Sequence, residues 1–243
     1  MVQELKEKDI IEPEIDLSSD DVSFAEAHVQ IIQGSQRGGK TCLAVGKVVS
    51  AYHRDCVRIF CKKVLKMECE VKAYYPKDRV AKVKVDGKEK YIRIPEDYEL
   101  KSPMRIFSNI HLYGIPYVYV PSFVVMERWL RIGFICNGWL IMDEAHVGMG
   151  ARNGQSKLGR GLVTQCMQFG KSKLEVMMIT HMPRLIDWVG RTIPTKAVDC
   201  SYDEKTRTIN FTLKEKGQTG TSEHSFDATQ YWPYYKTNEK VNK

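Results

Sequence analysis

One stretch constrains the fold more than any other: "IIQGSQRGGKTCLAVGKVV", Ile31 to Val49. It fits G-x-x-x-x-G-K-[ST], with Gly34 followed by Gly39, Lys40 and Thr41. The preceding "HVQIIQG", His28 to Gly34, is short, apolar and rich in β-branched residues, which reads as a buried strand. The segment after the motif puts Leu43, Val45, Val48, Val49 and Tyr52 at helical spacing. Strand, glycine loop and helix start, in that order, are the context a phosphate cradle requires. Glycines let successive backbone N–H groups turn inward around an anion, and the helix N-terminus adds the positive end of its dipole. On this reading Gly34, Ser35, Gln36, Arg37, Gly38, Gly39, Lys40, Thr41 and Cys42 cradle a nucleotide. Lys40 is expected to reach the β- and γ-phosphates, and the Thr41 hydroxyl to ligate Mg2+.

A partner for this loop follows about a hundred residues on, in "GWLIMDEAH". Trp139 to Met142 form a short apolar strand that ends in Asp143 and Glu144. Alone, an acidic pair after a strand reads as a solvated turn. Downstream of a phosphate loop it supplies what hydrolysis of a nucleoside triphosphate needs. Asp143 suits the carboxylate that holds Mg2+, and Glu144 the one that polarises the attacking water. The expectation is an ATPase using ATP and Mg2+.

The chain of 243 residues suits one α/β domain with additions. No apolar run approaches the ~18 residues of a membrane span, and the acidic N-terminus does not read as a signal peptide. The seven cysteines are odd in number and contain no C-x-x-C pair, which argues against a disulfide framework or a zinc site and for a reducing compartment. Charge is uneven. Residues 1–27 hold nine acids against two lysines and read as an acidic arm. Residues 58–93 hold twelve Lys and Arg against five acids, a composition able to neutralise nucleic-acid phosphates.

Within that basic stretch, "CVRIFCKKV", Cys56 to Val64, reads as a second core strand. "RVAKVKVDGKEKYIRIP" alternates on both sides of Asp86-Gly87, a strong hairpin signal, and carries Lys82, Lys84, Lys88, Lys90 and Arg93 as candidate DNA-binding residues. "MRIFSNIHL" is expected to be a core strand ending near Asn109, and "FVVMERWLRIG" an amphipathic helix. A polar loop then leads into a helix through Leu162, Cys166 and Phe169. "LEVMMITHMP" is the next buried strand, ending in Thr180 and His181, with a short helix over "RLIDWVGRTIP". Two alternating runs near the C-terminus predict a last hairpin. The organisation expected is an arm over 1–27, an ATPase core over 28–200 with a hairpin inserted at about 66–100, and a C-terminal hairpin and tail over 201–243. Alternating strands and helices predict an α/β fold, a mostly parallel sheet flanked by helices.

No N-K-x-D base reader and no kinase lid is evident, and 243 residues leave no room for a helicase's second RecA-like domain. What remains is the ring-forming class with an additional strand between the P-loop and carboxylate strands. The series "GSQRGGKT", "RIFSNIHL", "WLIMDEAH", "ARNGQSKLGR", "LEVMMITHMPRLIDWVGR" and "YYKTNEK" resembles the zonular occludens toxin-like and viral genome-packaging ATPases, in the FtsK–HerA branch of P-loop NTPases. The resemblance covers roughly residues 27–240, and its most specific part is the string from Ile179 to Arg191. Such proteins end the strand after the carboxylates with a polar sensor of the γ-phosphate, usually glutamine. The matching position here is His181, which is able to donate the same hydrogen bond.

The resemblance implies a homo-oligomeric ring, a pentamer or hexamer, that threads double-stranded DNA and docks on a capsid or portal vertex protein. It also implies sites completed by a neighbour's arginine. Arg152 and Arg160 are the first candidates and Arg184 and Arg191 the next; Lys171 is a poorer clamp than arginine. The implied location is the host cytoplasm or the virion's packaging vertex. Alternatives are an extrusion ATPase of a filamentous virus, a DNA-transfer ATPase of a plasmid or chromosome, and a non-motor nucleotide switch. A terminase-like nuclease is not expected, because too little chain follows residue 200 to build one.

Overall fold

A computed structural model describes residues 4–5, 15–16, 29–150, 157–169, 171–186 and 191–236. In chain order the first strands are β1 (Glu4–Leu5), β2 (Ile15–Asp16) and β3 (Val29–Gln33), followed by helix α1 (Lys40–Phe60). Next come β4 (Glu70–Tyr75), β5 (Val80–Val85), β6 (Lys88–Arg93), β7 (Arg105–Ser108), β8 (Val118–Tyr119) and helix α2 (Phe123–Arg131). Then follow β9 (Gly138–Met142), α3 (Ala145–Gly148), α4 (Lys157–Cys166) and β10 (Leu174–Thr180). The last strands are β11 (Lys196–Asp203), β12 (Thr208–Glu215) and β13 (Thr221–Asp227). The chain divides into two units, one of Met1–Phe24 with Lys47–Met104, the other of Ala25–Gly46 with Arg105–Lys243.

The second unit is built on an eight-stranded sheet in the order β13-β12-β11-β3-β10-β9-β7-β8. Every neighbouring pair from β11 to β8 is parallel, while β12 and β13 run antiparallel. The fold is therefore mixed α/β with a mostly parallel sheet, as the motif order predicts. β10 lies between β3 and β9, the strand expected to separate the glycine-loop strand from the carboxylate strand. Such central strands are covered on both faces, so they read as apolar runs rather than alternating ones. The sequences "VQIIQ" and "LEVMMIT" show this directly.

One core joins Val29, Ile31, Leu140, Met142, Val176 and Met178 of the sheet to Met126 and Leu130 of α2 and Leu162 and Cys166 of α4. Met126 and Leu130 stand one helical turn apart, so α2 presents them together. Ser122 caps α2, its hydroxyl accepting from the Val125 N–H at 3.3 Å. Register fixes where the strands end. Thr180 pairs with Gln33, Met178 with Met142, and Ser108 with Ile141. The residues that follow, Gly34, Asn109, Asp143 and His181, therefore leave the sheet at its carboxyl edge, where parallel sheets hold their ligands.

One expectation is corrected. The "CVRIFCKKV" segment is not a strand. Helix α1 runs 21 residues, and Cys56, Val57 and Phe60 continue the buried helical stripe of Val48, Val49 and Tyr52. The helix ends in a π turn, Cys61–Leu65, stopped by Lys66 in the left-handed region at φ 55°. A short β-branched and apolar run fits either period, and here the 3.6-residue repeat continues unbroken from the loop. The "RLIDWVGRTIP" segment, where a short helix is expected, opens as a 3-10 turn at Pro183–Leu185, Ile186 forms a bridge to Gly150, and Arg191 and Thr192 are helical. Residues 187–190 lie outside the described residues.

The first unit holds a five-stranded antiparallel sheet in the order β1-β6-β5-β4-β2. Its β5–β6 hairpin turns at Asp86 and Gly87, both at positive φ (50° and 78°), the backbone a two-residue hairpin of matching twist demands. Glu4–Leu5 and Ile15–Asp16, from the acidic N-terminal stretch, pair with β6 and β4. The expected C-terminal hairpin is β12–β13, and it extends the large sheet. Among the described residues, no helix is long and apolar enough to cross a membrane.

Candidate functional site

The loop after β3 is shaped by its glycines. Gly34 has φ 151°, and a Cβ there would sit 2.2 Å from the carbonyl oxygen of Cys200 on β11. Gly39 has φ 77°, and its Cβ would meet Ile209 Cγ1 of β12 at 2.9 Å. Both a side-chain-free backbone and an unusual dihedral are thus needed for the loop to fold against β11 and β12. The Gly38 N–H donates to Ser35 O at 3.1 Å, and the Cys200 thiol donates to Gly38 O at 3.1 Å. Lys40 folds back over the loop, its Nζ donating to Ser35 O at 2.5 Å. Ser35, Gln36 and Arg37 are exposed at the loop's crown. Cys42 points inward instead. Its thiol donates to Ala228 O at 3.7 Å, and burial pushes its pKa up to about 12, so it stays protonated.

Asp143 is brought to this loop by β9. The Thr41 hydroxyl donates to its Oδ2 at 3.1 Å, across 102 residues of sequence. Its other oxygen, Oδ1, accepts the Glu144 N–H at 2.9 Å. Burial is the main influence on its carboxyl and raises its pKa; the Glu144 N–H, Thr41 and Lys40 pull the other way, while the Glu144 charge adds to the rise. Asn109, just past β7, clamps the backbone of the same residue. Its Oδ1 accepts the Asp143 N–H at 2.7 Å and its Nδ2 donates to the Asp143 carbonyl at 2.9 Å. Two hard oxygens, Thr41 Oγ1 and Asp143 Oδ2, thus face each other beside a lysine, a donor set that fits Mg2+. The glycine loop, free of side chains where a Cβ would clash, fits a phosphate chain.

Glu144 takes a left-handed backbone, φ 52° and ψ 42°, and half of its side chain is exposed. Its Oε2 lies 3.2 Å from His146 Nδ1 and 3.2 Å from His181 Nδ1. His146 Nδ1 is also 3.1 Å from Thr180 Oγ1, which accepts the Met182 N–H at 3.0 Å. The two imidazoles meet edge to face, centroids 4.7 Å apart. Burial lowers the His146 pKa; the Glu144 carboxylate opposes this and His181 reinforces it.

The structure thus brings together the loop, Lys40, Thr41, Asp143, Glu144 and His181, all expected from sequence. Asn109 and His146 enter the cluster without having been singled out. A polar residue at the carboxyl end of a parallel strand was the available signal for Asn109, and the "DEAH" string for His146. Arg152 lies outside the described residues, and Arg160 lies on α4. Arg184 and Arg191 are exposed, Arg184 on the turn that follows β10 and Arg191 before β11.

In the smaller sheet the five basic candidates divide between two faces. Lys82, Lys84 and Arg93 share one face, as their register partners Tyr91, Glu89 and Val80 show, while Lys88 and Lys90 take the other. Lys82 is engaged there, 3.2 Å from Glu89 Oε2 and over the Tyr91 ring at 5.8 Å.

No family model and no curated protein matches the chain. Among solved structures it is similar to the N-terminal domain of zonular occludens toxin from Neisseria meningitidis, with a TM-score of 0.50 and 17% identity over 86% of this chain and 99% of that one. It is also similar to the genome packaging NTPase of Sulfolobus turreted icosahedral virus 2 in complex with ATP-gammaS, with a TM-score of 0.43 and 11% identity, covering 81% of this chain and 96% of that one. The first likeness shows the fold alone: a mixed α/β fold on a mostly parallel sheet.

Proposed function

We propose that this chain is an ATP-hydrolysing motor that moves double-stranded DNA, packaging a viral genome into a capsid as a homo-oligomeric ring. The observation that carries the reading is the meeting of Thr41 and Asp143 at 3.1 Å beside Lys40, with Glu144 next along the chain. The Gly34–Thr41 loop would bind the triphosphate through its backbone N–H groups, with Lys40 released from Ser35 to the outer phosphates. Thr41 and Asp143 would hold Mg2+, whose charge offsets that developing on the phosphates. Asn109 keeps Asp143 in place through its backbone. Glu144 would orient the attacking water and accept its proton, and His181 would donate to the γ-phosphate. A neighbour's Arg152 or Arg160 would complete the charge stabilisation, and the basic β5–β6 hairpin would hold the DNA backbone. The site of action is the host cytoplasm, at the portal vertex of a capsid.

The test is steady-state ATP hydrolysis with and without long double-stranded DNA, over a range of protein concentrations. Stimulation by DNA, with specific activity rising as concentration rises, is expected. Glu144→Gln should keep nucleotide binding and lose on the order of 100-fold or more in hydrolysis; Lys40→Ala should lose binding. Normal turnover by Glu144→Gln would remove the catalytic assignment. Activity indifferent to DNA and concentration would sink the ring motor and point to an extrusion ATPase or a monomeric switch.

A further inference from the structure

We propose that Glu144, His146 and His181 form a site for a divalent ion of the zinc class, one that withdraws Glu144 from its water-activating role. The ligand atoms of the three side chains all lie within 4.8 Å of one another. A single oxygen, Glu144 Oε2, faces both imidazole Nδ1 atoms at 3.2 Å. Charge-assisted N–H···O bonds are shorter, about 2.7–2.9 Å. Two ligands on one tetrahedral ion with bonds of about 2.0–2.2 Å stand roughly 3.3 Å apart. The contacts therefore match edges of a coordination tetrahedron better than a pair of strong hydrogen bonds.

The donor set argues for the same class of ion. Two imidazoles and one carboxylate, with the exposed side of Glu144 leaving a fourth position to water, are borderline-soft ligands that suit Zn2+ and its neighbours. Mg2+ favours an octahedron of hard oxygens, such as Thr41 and Asp143 offer next door. The near-perpendicular rings, at 86°, let both Nδ1 atoms approach one point without collision. Thr180 Oγ1, 3.1 Å from His146 Nδ1, is a further polar neighbour and shares that nitrogen until an ion takes it.

Binding stands on these side chains alone; its inhibitory consequence rests on the proposed role of Glu144. The experiment uses the full chain without a histidine tag and without nucleotide, titrated with Co2+ as a spectroscopic probe and with Zn2+ by calorimetry. An intense visible absorption of tetrahedral Co2+, saturating at one ion per chain, is expected. Even second-shell changes at metal sites cost about 10–100-fold in affinity, so His146→Ala and His181→Ala should each cost at least that. Thr41→Ala should leave the absorption unchanged. Circular dichroism checks that the histidine variants fold. No tetrahedral absorption, or one that survives both histidine variants, overturns the site. In excess Mg2+, Zn2+ should suppress hydrolysis by the native chain and much less by His146→Ala, each against its own zinc-free rate. Zinc bound without loss of hydrolysis overturns the inhibition, and the Glu144→Gln rate tells whether the fault lies there or in the catalytic assignment.

Discussion

Glu175 shows what a single buried carboxyl does to this fold. It lies on β10 in register with Trp139 of β9, and its Oε2 is buried with no hydrogen-bond partner among the described residues. Burial pushes its pKa from 4.5 up to about 7, with Lys196 pulling back. Lys196 is itself paired with Glu215 at 2.7 Å, which weakens its hold on Glu175. The folded state therefore binds this proton more tightly than the unfolded chain. The stability it contributes is complete below pH 4.5 and is lost as the pH rises through about 7. Glu175→Gln should melt at the same temperature as the native chain at low pH. The variant should become the more stable of the two as the pH rises, with the gap fully open by about pH 8. Thermal melts from pH 4.5 to 8 read the difference, and a gap independent of pH would show that the native carboxyl is not held protonated.

At the scale of elements, the legible features were those whose signal is local. The strand–loop–helix at Gly34–Thr41, the Asp86-Gly87 hairpin and the strand before Asp143 each carry their own turn or period within a dozen residues. Cys56–Val64 was misread because a run of that length satisfies two periods, and only the unbroken stripe from Leu43 decides for the helix. Asn109 was not legible as a site residue because its contact with Asp143 spans 34 residues and depends on β7 lying beside β9. The split of the basic residues was hidden in the same way, since period 2 assigns faces only once register is known. That split yields a prediction for the hairpin. A duplex rests on one face at a time. Between Lys84→Ala/Arg93→Ala and Lys88→Ala/Lys90→Ala, one pair should lower the slope of log affinity against log salt by roughly 1.8, two contacts at about 0.9 each, and the other should leave it. Fluorescence anisotropy over a salt series measures both slopes. Two unchanged slopes would demote the hairpin to scaffolding.

At the scale of the whole molecule, the site has Lys40, the proposed Mg2+ donors and Glu144, and no arginine whose side chain is described approaches Asp143 or Glu144 within ion-pair distance. Phosphoryl transfer commonly draws such an arginine from a neighbour, so the ring proposal assigns Arg152 or Arg160 to the adjoining subunit's site. This division of labour can be tested by mixing. Glu144→Gln chains keep the arginines and lack the proposed water-activating carboxylate, while Arg152→Ala/Arg160→Ala chains keep the carboxylate and lack the arginines. Each should be inactive alone. In rings assembled from equal amounts, a working site needs its carboxylate from one kind of subunit and its arginine from the other, so about a quarter of sites should recover. Basal hydrolysis without DNA reads the recovery, and light scattering confirms that the two variants co-assemble. Activity in the mixture, absent from either variant, would place the arginine in trans. Co-assembled rings that remain inactive would mean that the residue acts within its own subunit or not at all, and the interface-built site would fall with it.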